Sequence, residues 1–380
     1  MARKKKLFVT GGSGFIGKNF IELAAGNYEL HCPTHAELEL TDSDAVEKYF
    51  RQNDFDVVLH MANATRIPPI GGLATEKQSS RPPAPHGGAV FESSTEDKSG
   101  RPIAGSSRRA IYQQANSMED LKTSTTSVVR QDLKTSVETA QQRARLEDSE
   151  LRRLATLGET NQCIFSNIVR CEDRFGRMIH LGSGAEYDKT RELKKVKETD
   201  FGASVPKDEY GLYKYLCSKY IERADNITCL RIFGCYGKHE DYLRFFISNA
   251  VCRAIFDLPI VIRNKNVFFD YLFVDDLVGI IRHFIDSSSK PKYKSYNATP
   301  DAAVDLLFIA NAVNKVLGKE LEIIVKNKGL GLEYSGDNSR LKEEIHGIRF
   351  TPLESGIAKL HDWYSANKKS LDYKQISERV

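Results

Sequence analysis

Glycines recur at positions 11, 14 and 17, between a short apolar run at residues 7–10 and a helix-like stretch at residues 19–25. In such a strand–turn–helix unit the first glycine permits a tight turn, the second lets the backbone approach a pyrophosphate, and the third lets the helix pack on the strand. The helix N-terminus adds unpaired N–H groups and a positive dipole end. The spacing therefore predicts a dinucleotide-binding turn, with an ordinary glycine-rich turn as the alternative. Its predicted contact residues are Gly11, Gly14, Phe15, Ile16 and Gly17.

The next fifty residues alternate between strand-like and helix-like segments. We predict strands at residues 28–32, 38–42 and 57–62, and a helix at residues 44–53. Strands that alternate with helices are typical of a parallel sheet with helices on both faces. The predicted fold class is therefore α/β, with a doubly wound parallel sheet (a Rossmann domain).

The end of the second predicted strand usually selects the cofactor, because an acidic residue there binds the ribose 2′-hydroxyl and an arginine accepts a 2′-phosphate. This chain has Pro33, Thr34 and His35 instead, so NAD and NADP both remain open. His35 either faces a phosphate or lies in a surface loop. Asp42 either meets the adenine or caps the following helix. Three more cofactor contacts are predicted along the chain: Ala62, Lys214 and Phe233.

Residues 67–159 interrupt the alternating pattern. Residues 67–107 are rich in Pro, Gly, Ser and charge, which predicts disorder because too little apolar surface is available to offset the ordering entropy. Residues 118–157 have a narrow apolar seam with charged flanks, which fits a coiled-coil or docking helix, or an amphipathic helix lying on the host domain. Loops in α/β units typically have about 2–6 residues. We therefore predict an insertion, partly disordered and partly helical, with a possible role in further association.

Regular structure is predicted to resume at Asn161, and the expected elements define three parts. The dinucleotide-binding domain comprises residues 1–66 and 160–237, with residues 270–300 returning to it. The insertion comprises residues 67–159, and a smaller α/β substrate lobe comprises residues 238–269 and 301–380. Further strands are predicted at 178–181, 228–233 and within 267–273, and further helices at 210–220, from 274 and at 352–364.

Composition excludes several classes of partner. The chain is 41% hydrophobic and 28% charged with a net charge of +4, which does not favour nucleic acid or an anionic membrane. No apolar run approaches the ~18 residues of a membrane span. The seven cysteines are scattered without Cys-x-x-Cys pairs, which predicts reduced thiols in the cytoplasm and no metal site.

Tyr210 and Lys214 are four residues apart, so on a helix they share a face. A phenol with a pKa near ~10 exchanges protons poorly at neutral pH, and a nearby ammonium group stabilises the phenolate. Ser183 follows a predicted strand, at the sheet edge where such folds bind ligands. This set suits hydride transfer between a nicotinamide and a carbinol or carbonyl. Tyr213 is the rival tyrosine, but its partner four residues on is Cys217.

Four motifs together resemble the extended short-chain dehydrogenase/reductases, the epimerases, dehydratases and reductases of nucleotide sugars. These motifs are Gly11-x-x-Gly14-x-x-Gly17, Leu181-Gly182-Ser183-x-x-x-Tyr187, Tyr210-x-x-x-Lys214 and Arg231-x-x-x-x-Tyr236-Gly237. The stretches 35–40, 181–183, 337–341 and 350–352 most resemble the GDP-fucose synthase branch.

The resemblance covers residues 5–66 and 160–366. It implies a Rossmann domain with NAD or NADP, a lobe that binds a nucleotide sugar, and a homodimer formed through the helices near Asn161 and Tyr210. It also implies that Ser183, Tyr210 and Lys214 form the catalytic set.

The chain departs from that branch at three positions. Ala185 occupies the place of a cysteine, and Arg244 and Phe245 stand where the branch has an acid histidine. Double epimerisation needs such an acid and base, so simple 4-epimerisation or 4-keto reduction is favoured. Phe269 stands where an arginine commonly meets the diphosphate. The predicted substrate contacts are Ala185, Arg253 and Arg263, with Arg340 as a further candidate. The alternative function is a catalytically weak scaffold whose insertion binds a protein partner.

Overall fold

The computed structural model describes residues 3–24, 26–63 and 157–378, and most of the predicted insertion lies outside these ranges. The elements as far as the sixth strand are β1 (Lys6–Thr10), α1 (Phe15–Ala24), β2 (Glu29–His31), α2 (Ser43–Gln52), β3 (Phe55–His60), α3 (Leu157–Val169), β4 (Phe175–Ser183), β5 (Leu193–Val196), α4 (Glu209–Ile221) and β6 (Ile227–Ile232). The elements that follow are β7 (Cys235–Tyr236), α5 (Phe246–Ile255), β8 (Ile260–Ile262), β9 (Phe268–Phe269), β10 (Leu272–Phe273), α6 (Val274–Asp286), β11 (Ser295–Ala298), β12 (Val304–Asp305), α7 (Leu306–Leu317), β13 (Ile323–Val325), β14 (Tyr334–Gly336), α8 (Ser339–Glu344), α9 (Leu353–Ala366) and α10 (Tyr373–Glu378).

Six parallel strands form the main sheet in the order β11-β6-β4-β3-β1-β2. Leu7, Phe8 and Val9 on β1 are all buried, as expected for strands covered by helices on both faces. Their side chains alternate between the two faces, so Leu7 and Val9 join one apolar core and Phe8 joins the other. The predicted doubly wound α/β fold is confirmed.

The sheet changes winding direction at β1. From β1 the chain moves outward to β2, and it then returns to the other side of β1 to form β3. Open α/β sheets bind ligands in the crevice at such a switch point, outside the carboxyl ends of the strands. The ends of β1 and β3 therefore mark where the predicted dinucleotide would bind.

The strand predicted at residues 38–42 is wrong, because this stretch forms turns. Glu39 accepts the backbone N–H of Asp42 (3.1 Å), and its carboxylate accepts the N–H and hydroxyl of Thr41 at 2.9 and 2.8 Å. Leu38 and Leu40 are nevertheless buried against the sheet face that contains Phe8. The two buried leucines thus anchor a loop and not a strand. The predicted insertion therefore follows the third strand of the sheet, β3.

A smaller sheet lies beside the main one, with the order β12-β9-β14-β5. The predicted β-prone stretch 267–273 forms two separate strands of two residues, β9 in this sheet and β10 paired with β7. The helices α5, α7 and α9 pack together around an apolar core of their own. None of the helices within residues 3–24, 26–63 and 157–378 combines the length and apolar character needed to cross a membrane.

Candidate active site

The turn after β1 is packed too closely for side chains. Gly11 has a φ of +75°, and a Cβ there would lie 2.8 Å from the backbone nitrogen of Ala62 at the end of β3. A Cβ on Gly17 would lie 2.7 Å from the Cα of Gly12, and it would overlap the carbonyl oxygen of Gly11. The turn is closed by the N–H of Gly14, which donates to the Gly11 carbonyl at 3.0 Å. The glycines therefore permit the close approach of β1, β3 and α1 at the switch point.

The first residues of α1 are Phe15 and Ile16, and Ile16 packs against the core. The turn therefore presents bare backbone and the first N–H groups of a ten-residue helix at the sheet's carboxyl edge. Such a cradle suits a phosphate, because it offers N–H donors and a positive dipole end without a side chain in the way. The predicted phosphate contacts lie together in this structure.

A row of polar side chains crosses the sheet just below that edge. The Thr10 hydroxyl accepts the N–H groups of Met61 (3.2 Å) and Ala62 (3.1 Å), and it lies 2.7 Å from Nδ1 of His60. With both lone pairs used, the Thr10 proton is available for His60, so we assign the His60 tautomer with its proton on Nε2. Burial and, to a smaller extent, the nearby charge of Lys214 together lower the pKa of His60 to about 3.

His180 lies opposite His60 on β4, with ring centroids 5.2 Å apart. Both of its ring nitrogens are buried without a hydrogen-bond partner among the described residues. Burial lowers the pKa of His180 well below its usual range, with further contributions from Lys214 and His60. Sequence reasoning missed this pair, because the two histidines are 120 residues apart in numbering and meet only through strand register.

The remaining predicted cofactor contacts are placed differently from one another. His35 has a side chain 81% exposed, with Nδ1 3.6 Å from Glu39 Oε2, so it lies in a surface loop. Asp42 caps α2, where its Oδ1 accepts the N–H groups of Asp44 and Ala45, both at 3.0 Å. Of its two alternatives, the helix cap is thus the one the structure shows. Phe233 is buried at the carboxyl end of β6, with its ring 5.0 Å from that of Tyr334.

Ser183 ends β4 and caps the 3₁₀ turn Gly184–Tyr187. Its hydroxyl accepts the Ala185 N–H at 3.1 Å, and its own N–H donates to Glu186 Oε1 at 2.8 Å. The side chain of Ala185 is buried. The turn therefore holds the Ser183 hydroxyl at the carboxyl edge of the sheet.

A buried ion pair supports this turn from below. Glu186 Oε2 lies 2.6 Å from Arg231 Nε, and it also accepts the Ser218 hydroxyl at 2.6 Å. Burial is the largest single influence and lowers the pKa of Arg231, but Glu186, Tyr187 and Cys229 together raise it by more, so the net shift is upward. A buried pair with its hydrogen bonds satisfied resists displacement, because removing one partner leaves the other charge uncompensated. Sequence reasoning missed Glu186, since its partner is 45 residues away.

The helix α4 begins directly against the Ser183 turn. Asp208 caps it by accepting the Gly211 N–H at 2.9 Å. A Cβ on Gly211 would lie 2.8 Å from the carbonyl oxygen of Ala185. Tyr210 precedes this contact and is half-buried, with its ring 5.5 Å from the Tyr213 ring and 5.7 Å from Lys189 Nζ. The contact brings the residue that carries the predicted catalytic phenol next to the Ser183 turn.

Lys214 lies one helical turn after Tyr210 and is buried. Its Nζ donates to the carbonyl of Leu181 at 2.6 Å, two residues before Ser183. Tyr213, the rival tyrosine, donates its hydroxyl proton to Asn63 Oδ1 after β3, and burial raises its pKa well above the usual range. Ser183 thus ends β4, and Tyr210 and Lys214 lie on the helix that packs against its turn, while their catalytic roles stay a prediction.

The predicted substrate arginines occupy different environments. Arg253 is buried in α5, and its guanidinium donates to the backbone carbonyls of Ile376, at 2.6 Å, and Pro259. These hydrogen bonds attach α10 to α5. The guanidinium is used there and not for the predicted contact with a diphosphate, so we leave Arg253 out of the site. Arg263 is half-buried after β8, and Arg340 Nε lies 3.8 Å from Glu198 Oε2.

Tyr334 is a residue that sequence reasoning missed. Its ring stacks on Phe269 at 4.5 Å, where the resemblance led us to expect an arginine. Its hydroxyl lies against Gly184, the residue after Ser183, where an added Cβ would be only 2.7 Å from it. The motif at residues 337–341 lies close to Tyr334 in sequence, but no spacing rule connects it with Ser183.

Comparisons with known proteins agree with this architecture. A stretch of 74 residues, 19% of this chain, is 40% identical to GDP-L-fucose synthase of Azorhizobium caulinodans, and it spans about a fifth (22%) of that protein. UDP-glucose 4-epimerase of Thermotoga maritima, solved with UDP-glucose, superposes with a TM-score of 0.62 at 15% identity, covering 96% of this chain and 99% of that one. A GDP-L-fucose synthetase of Naegleria fowleri bound to NADP gives 0.63 at 12% identity, covering 97% of each chain. At these identities the solved structures show the fold alone.

The family assignment rests on a sequence match. The model of the NAD dependent epimerase/dehydratase family matches residues 7–69 and 123–299, together more than half of the chain. The unmatched residues 70–122 lie inside the predicted insertion, whereas its predicted end at residue 159 stays a prediction. The chain belongs to the NAD dependent epimerase/dehydratase family.

Proposed function

We propose that this protein is an NAD(P)-dependent nucleotide-sugar epimerase or 4-keto reductase that uses Ser183, Tyr210 and Lys214. The observation that carries the proposal is the packing of α4 against the end of β4 and the Ser183 turn. Lys214 Nζ bonds the strand that ends in Ser183 at 2.6 Å, and Gly211, beside Tyr210, packs on the turn that Ser183 caps. Membership of a family of sugar-nucleotide enzymes supports the same class of substrate.

The β1–α1 turn fits the phosphates of a dinucleotide. Gly11, Gly14 and Gly17 leave room for the pyrophosphate, and the N–H groups of Phe15 and Ile16 at the start of α1 bind it. Ala62 forms the opposite wall, with its backbone fixed by Thr10. When bound, the nicotinamide supplies the hydride acceptor or donor. The Naegleria fowleri structure contains NADP, but this chain's second strand leaves the choice between NAD and NADP open.

The chain's own residues handle the proton. Tyr210 donates a proton to the substrate carbonyl in reduction, or accepts one from the carbinol in oxidation. Lys214 stabilises the phenolate by its positive charge and binds the nicotinamide ribose. Ser183 hydrogen-bonds the same substrate oxygen and fixes its position. This mechanism needs the three residues at one edge of the sheet, and the location of Ser183 at the end of β4 and of Tyr210 and Lys214 in α4 supports it.

Ala185 restricts the reaction class. A methyl group cannot exchange a proton, so the turn after Ser183 lacks the second acid–base group that double epimerisation needs. We therefore favour 4-epimerisation or 4-keto reduction, with Ala185 and Arg263 as substrate contacts. The alternative of an interaction scaffold depends on the insertion, most of which lies outside the described residues.

A direct assay tests this function. The full chain is incubated with NADH or NADPH and a panel of 4-keto GDP-, UDP- and dTDP-sugars, and the nicotinamide absorbance is followed. Sugar nucleotides without the keto group are incubated in parallel, and epimers are separated by chromatography. We expect turnover in one of these assays, and at least a 100-fold loss with Lys214→Met. Absence of turnover throughout, with no dinucleotide bound in a fluorescence titration, would refute the proposal.

A further inference from the structure

The Lys189 ammonium group lies over the ring of Tyr210. Its Nζ is 5.7 Å from the centre of that ring. It is also 3.6 Å from Asp208 Oδ1, the atom that accepts the Gly211 N–H at 2.9 Å and so caps α4. Lys189 thus connects the loop after the Ser183 turn with the start of the helix that contains Tyr210. The proposed reaction has so far assigned it no part.

The backbone just before Lys189 has an unusual conformation. Asp188 has a φ of +69°, in the left-handed region that residues other than glycine rarely adopt. Its buried carboxylate stabilises the turn, because Oδ1 accepts the N–H and hydroxyl of Thr190 at 3.1 and 2.6 Å, and Oδ2 accepts the Ser204 hydroxyl at 2.6 Å. Such a conformation persists only where the surroundings enforce it. The loop therefore leaves the Ser183 turn along a fixed path that brings Lys189 to α4.

The proposed reaction requires that the Tyr210 ring be oriented without using its hydroxyl, which must meet the substrate oxygen. Tyr213 has the opposite arrangement, because its hydroxyl is bound to Asn63. The orientation of Tyr210 must therefore come from contacts with its ring. Two such contacts are the Tyr213 ring, 5.5 Å away at an interplanar angle of 87°, and the Lys189 ammonium group.

The contact with Lys189 becomes stronger during the reaction. A cation over an aromatic ring is attracted by the electron density of the ring face. When the hydroxyl proton passes to the substrate oxygen, the remaining phenolate delocalises its negative charge into the ring, so this attraction increases. In the oxidation direction the same attraction stabilises the phenolate that accepts the carbinol proton. An interaction that is stronger in the transition state than in the ground state raises kcat.

Asp208 fixes the position of the ammonium group. The side chains of Lys189 and Asp208 are 30% and 32% exposed, and a partly exposed ion pair contributes little energy of its own because solvent screens it. The pair therefore supplies geometry more than energy. Because the same carboxylate caps α4, the ammonium group is tied to the helix turn from which the Tyr210 side chain projects.

We propose that Lys189 is a positioning residue that holds the Tyr210 ring in place for proton transfer and stabilises the phenolate that forms. This inference rests on the proposed function of Tyr210. It extends the site from Ser183, Tyr210 and Lys214 to the loop that follows the Ser183 turn.

Substitutions of Lys189 in the full chain test the inference. We expect Lys189→Met, which keeps most of the side-chain length without the charge, to lower kcat about 10-fold and to leave the dissociation constant of the dinucleotide unchanged. Lys189→Arg keeps a cation that stacks on aromatic rings, so its kcat should stay within about 3-fold of wild type. In a Tyr210→Phe background, Lys189→Met should cost less than about 2-fold, because Lys189 acts through the phenol.

Lys359→Met is the matched control. Lys359 Nζ lies 5.2 Å from the centre of the Phe273 ring and 3.6 Å from Asp275 Oδ2. These two contacts repeat those of Lys189 at a ring that the proposed reaction does not use. The control variant should therefore keep the wild-type kcat.

Fluorine NMR gives a readout that is independent of turnover, with 3-fluorotyrosine incorporated at position 210. Lys189→Met should shift this resonance, because the charge over the ring is lost, and Lys359→Met should leave it unchanged. An unshifted resonance in Lys189→Met would contradict the contact itself.

The kinetic outcomes separate this inference from the proposed function. Wild-type kcat in Lys189→Met, failure of Lys189→Arg to restore activity, or an equal loss in the Tyr210→Phe background would overturn the inference. The proposed function would still stand on the loss caused by Tyr210→Phe alone. If the wild-type protein turns over none of the substrates, the proposed function falls and this inference falls with it.

Discussion

Among single residues, the histidines below the active-site edge are unusual because burial keeps both of them neutral. His60 and His180 are only 2% and 1% exposed, and they lie against each other and near Lys214. The buried Lys214 ammonium disfavours a further positive charge beside it. Because both histidines are neutral, the positive charge next to them comes from Lys214.

This burial makes the stability of the fold depend on pH. The pKa of His60 is about 3 in the folded chain and 6.5 when unperturbed, and the pKa of His180 is also lowered. Below about pH 6.5 the unfolded chain therefore binds more protons than the folded chain, so stability falls as the pH falls toward about 3. Each histidine contributes at most about 1.4 kcal/mol per pH unit in that window.

We predict that His180→Phe removes about 1 kcal/mol per pH unit from the slope of unfolding free energy between pH 6 and pH 4.5. Urea unfolding at several pH values measures the slope, and the difference from wild type cancels the other titrating groups. His346→Gln, at an exposed position, should leave the slope unchanged. An unchanged slope in His180→Phe would mean that His180 is already protonated when folded.

At the scale of elements, the packing contact between the Ser183 turn and α4 determines where the proposed catalytic residues lie. The turn is held by Glu186 and the helix by Asp208, so two caps set the relative position of Ser183 and Tyr210. Gly211 lies between them, with Ala185 O, Asp208 Oδ2 and Pro206 Cβ each 2.8 Å from where its Cβ would be.

We predict that Gly211→Ala destabilises the fold by about 1–3 kcal/mol and lowers kcat at least 10-fold, because the added methyl pushes α4 away from the turn. Gly279→Ala is the matched control, since Gly279 lies in α6 with no heavy atom within 4 Å of an added Cβ. It should stabilise the chain by about 0.5–1 kcal/mol. Thermal unfolding measures the change in stability, and a steady-state assay measures kcat. A Gly211→Ala variant with wild-type stability and kcat would contradict the close packing at this contact.

Local sequence patterns predicted those elements whose signals lie within a few residues. The Gly11–Gly17 turn and the Tyr210–Lys214 spacing each occupy about one or two helical turns, and both are found where expected. Residues 38–42 failed because burial of Leu38 and Leu40 imitates a strand pattern. The Glu186–Arg231 pair could not be predicted, because its two residues meet only through the pairing of strands distant in sequence. The position of Tyr334 could not be predicted for the same reason, since β14 pairs with the distant strand β5.

At the scale of the whole molecule, the main feature is a stripe of exposed apolar side chains on α4. Leu212, Leu216 and Tyr220 follow each other at four-residue spacing and are 37%, 46% and 39% exposed. Side chains at this spacing share one face of a helix. The resemblance to a dimeric family led us to expect pairing near this helix, and the stripe gives that expectation a physical basis.

We predict a homodimer that Leu216→Glu converts to a monomer, because a carboxylate would be desolvated at the centre of the interface. Light scattering after size-exclusion chromatography at micromolar concentration measures the mass. Leu307→Glu, on α7 and 40% exposed, should remain dimeric. A wild-type monomer, or a dimeric Leu216→Glu, would place the contact elsewhere.

The central claim is that Tyr210, and no other tyrosine of α4, exchanges the proton with the substrate. The most direct measurement compares single-turnover rates of Tyr210→Phe and Tyr213→Phe at saturating dinucleotide and sugar nucleotide. We expect at least a 100-fold loss for Tyr210→Phe and less than a 10-fold loss for Tyr213→Phe, whose hydroxyl is bound to Asn63. A Tyr210→Phe variant that reacts at the wild-type rate would contradict the claim.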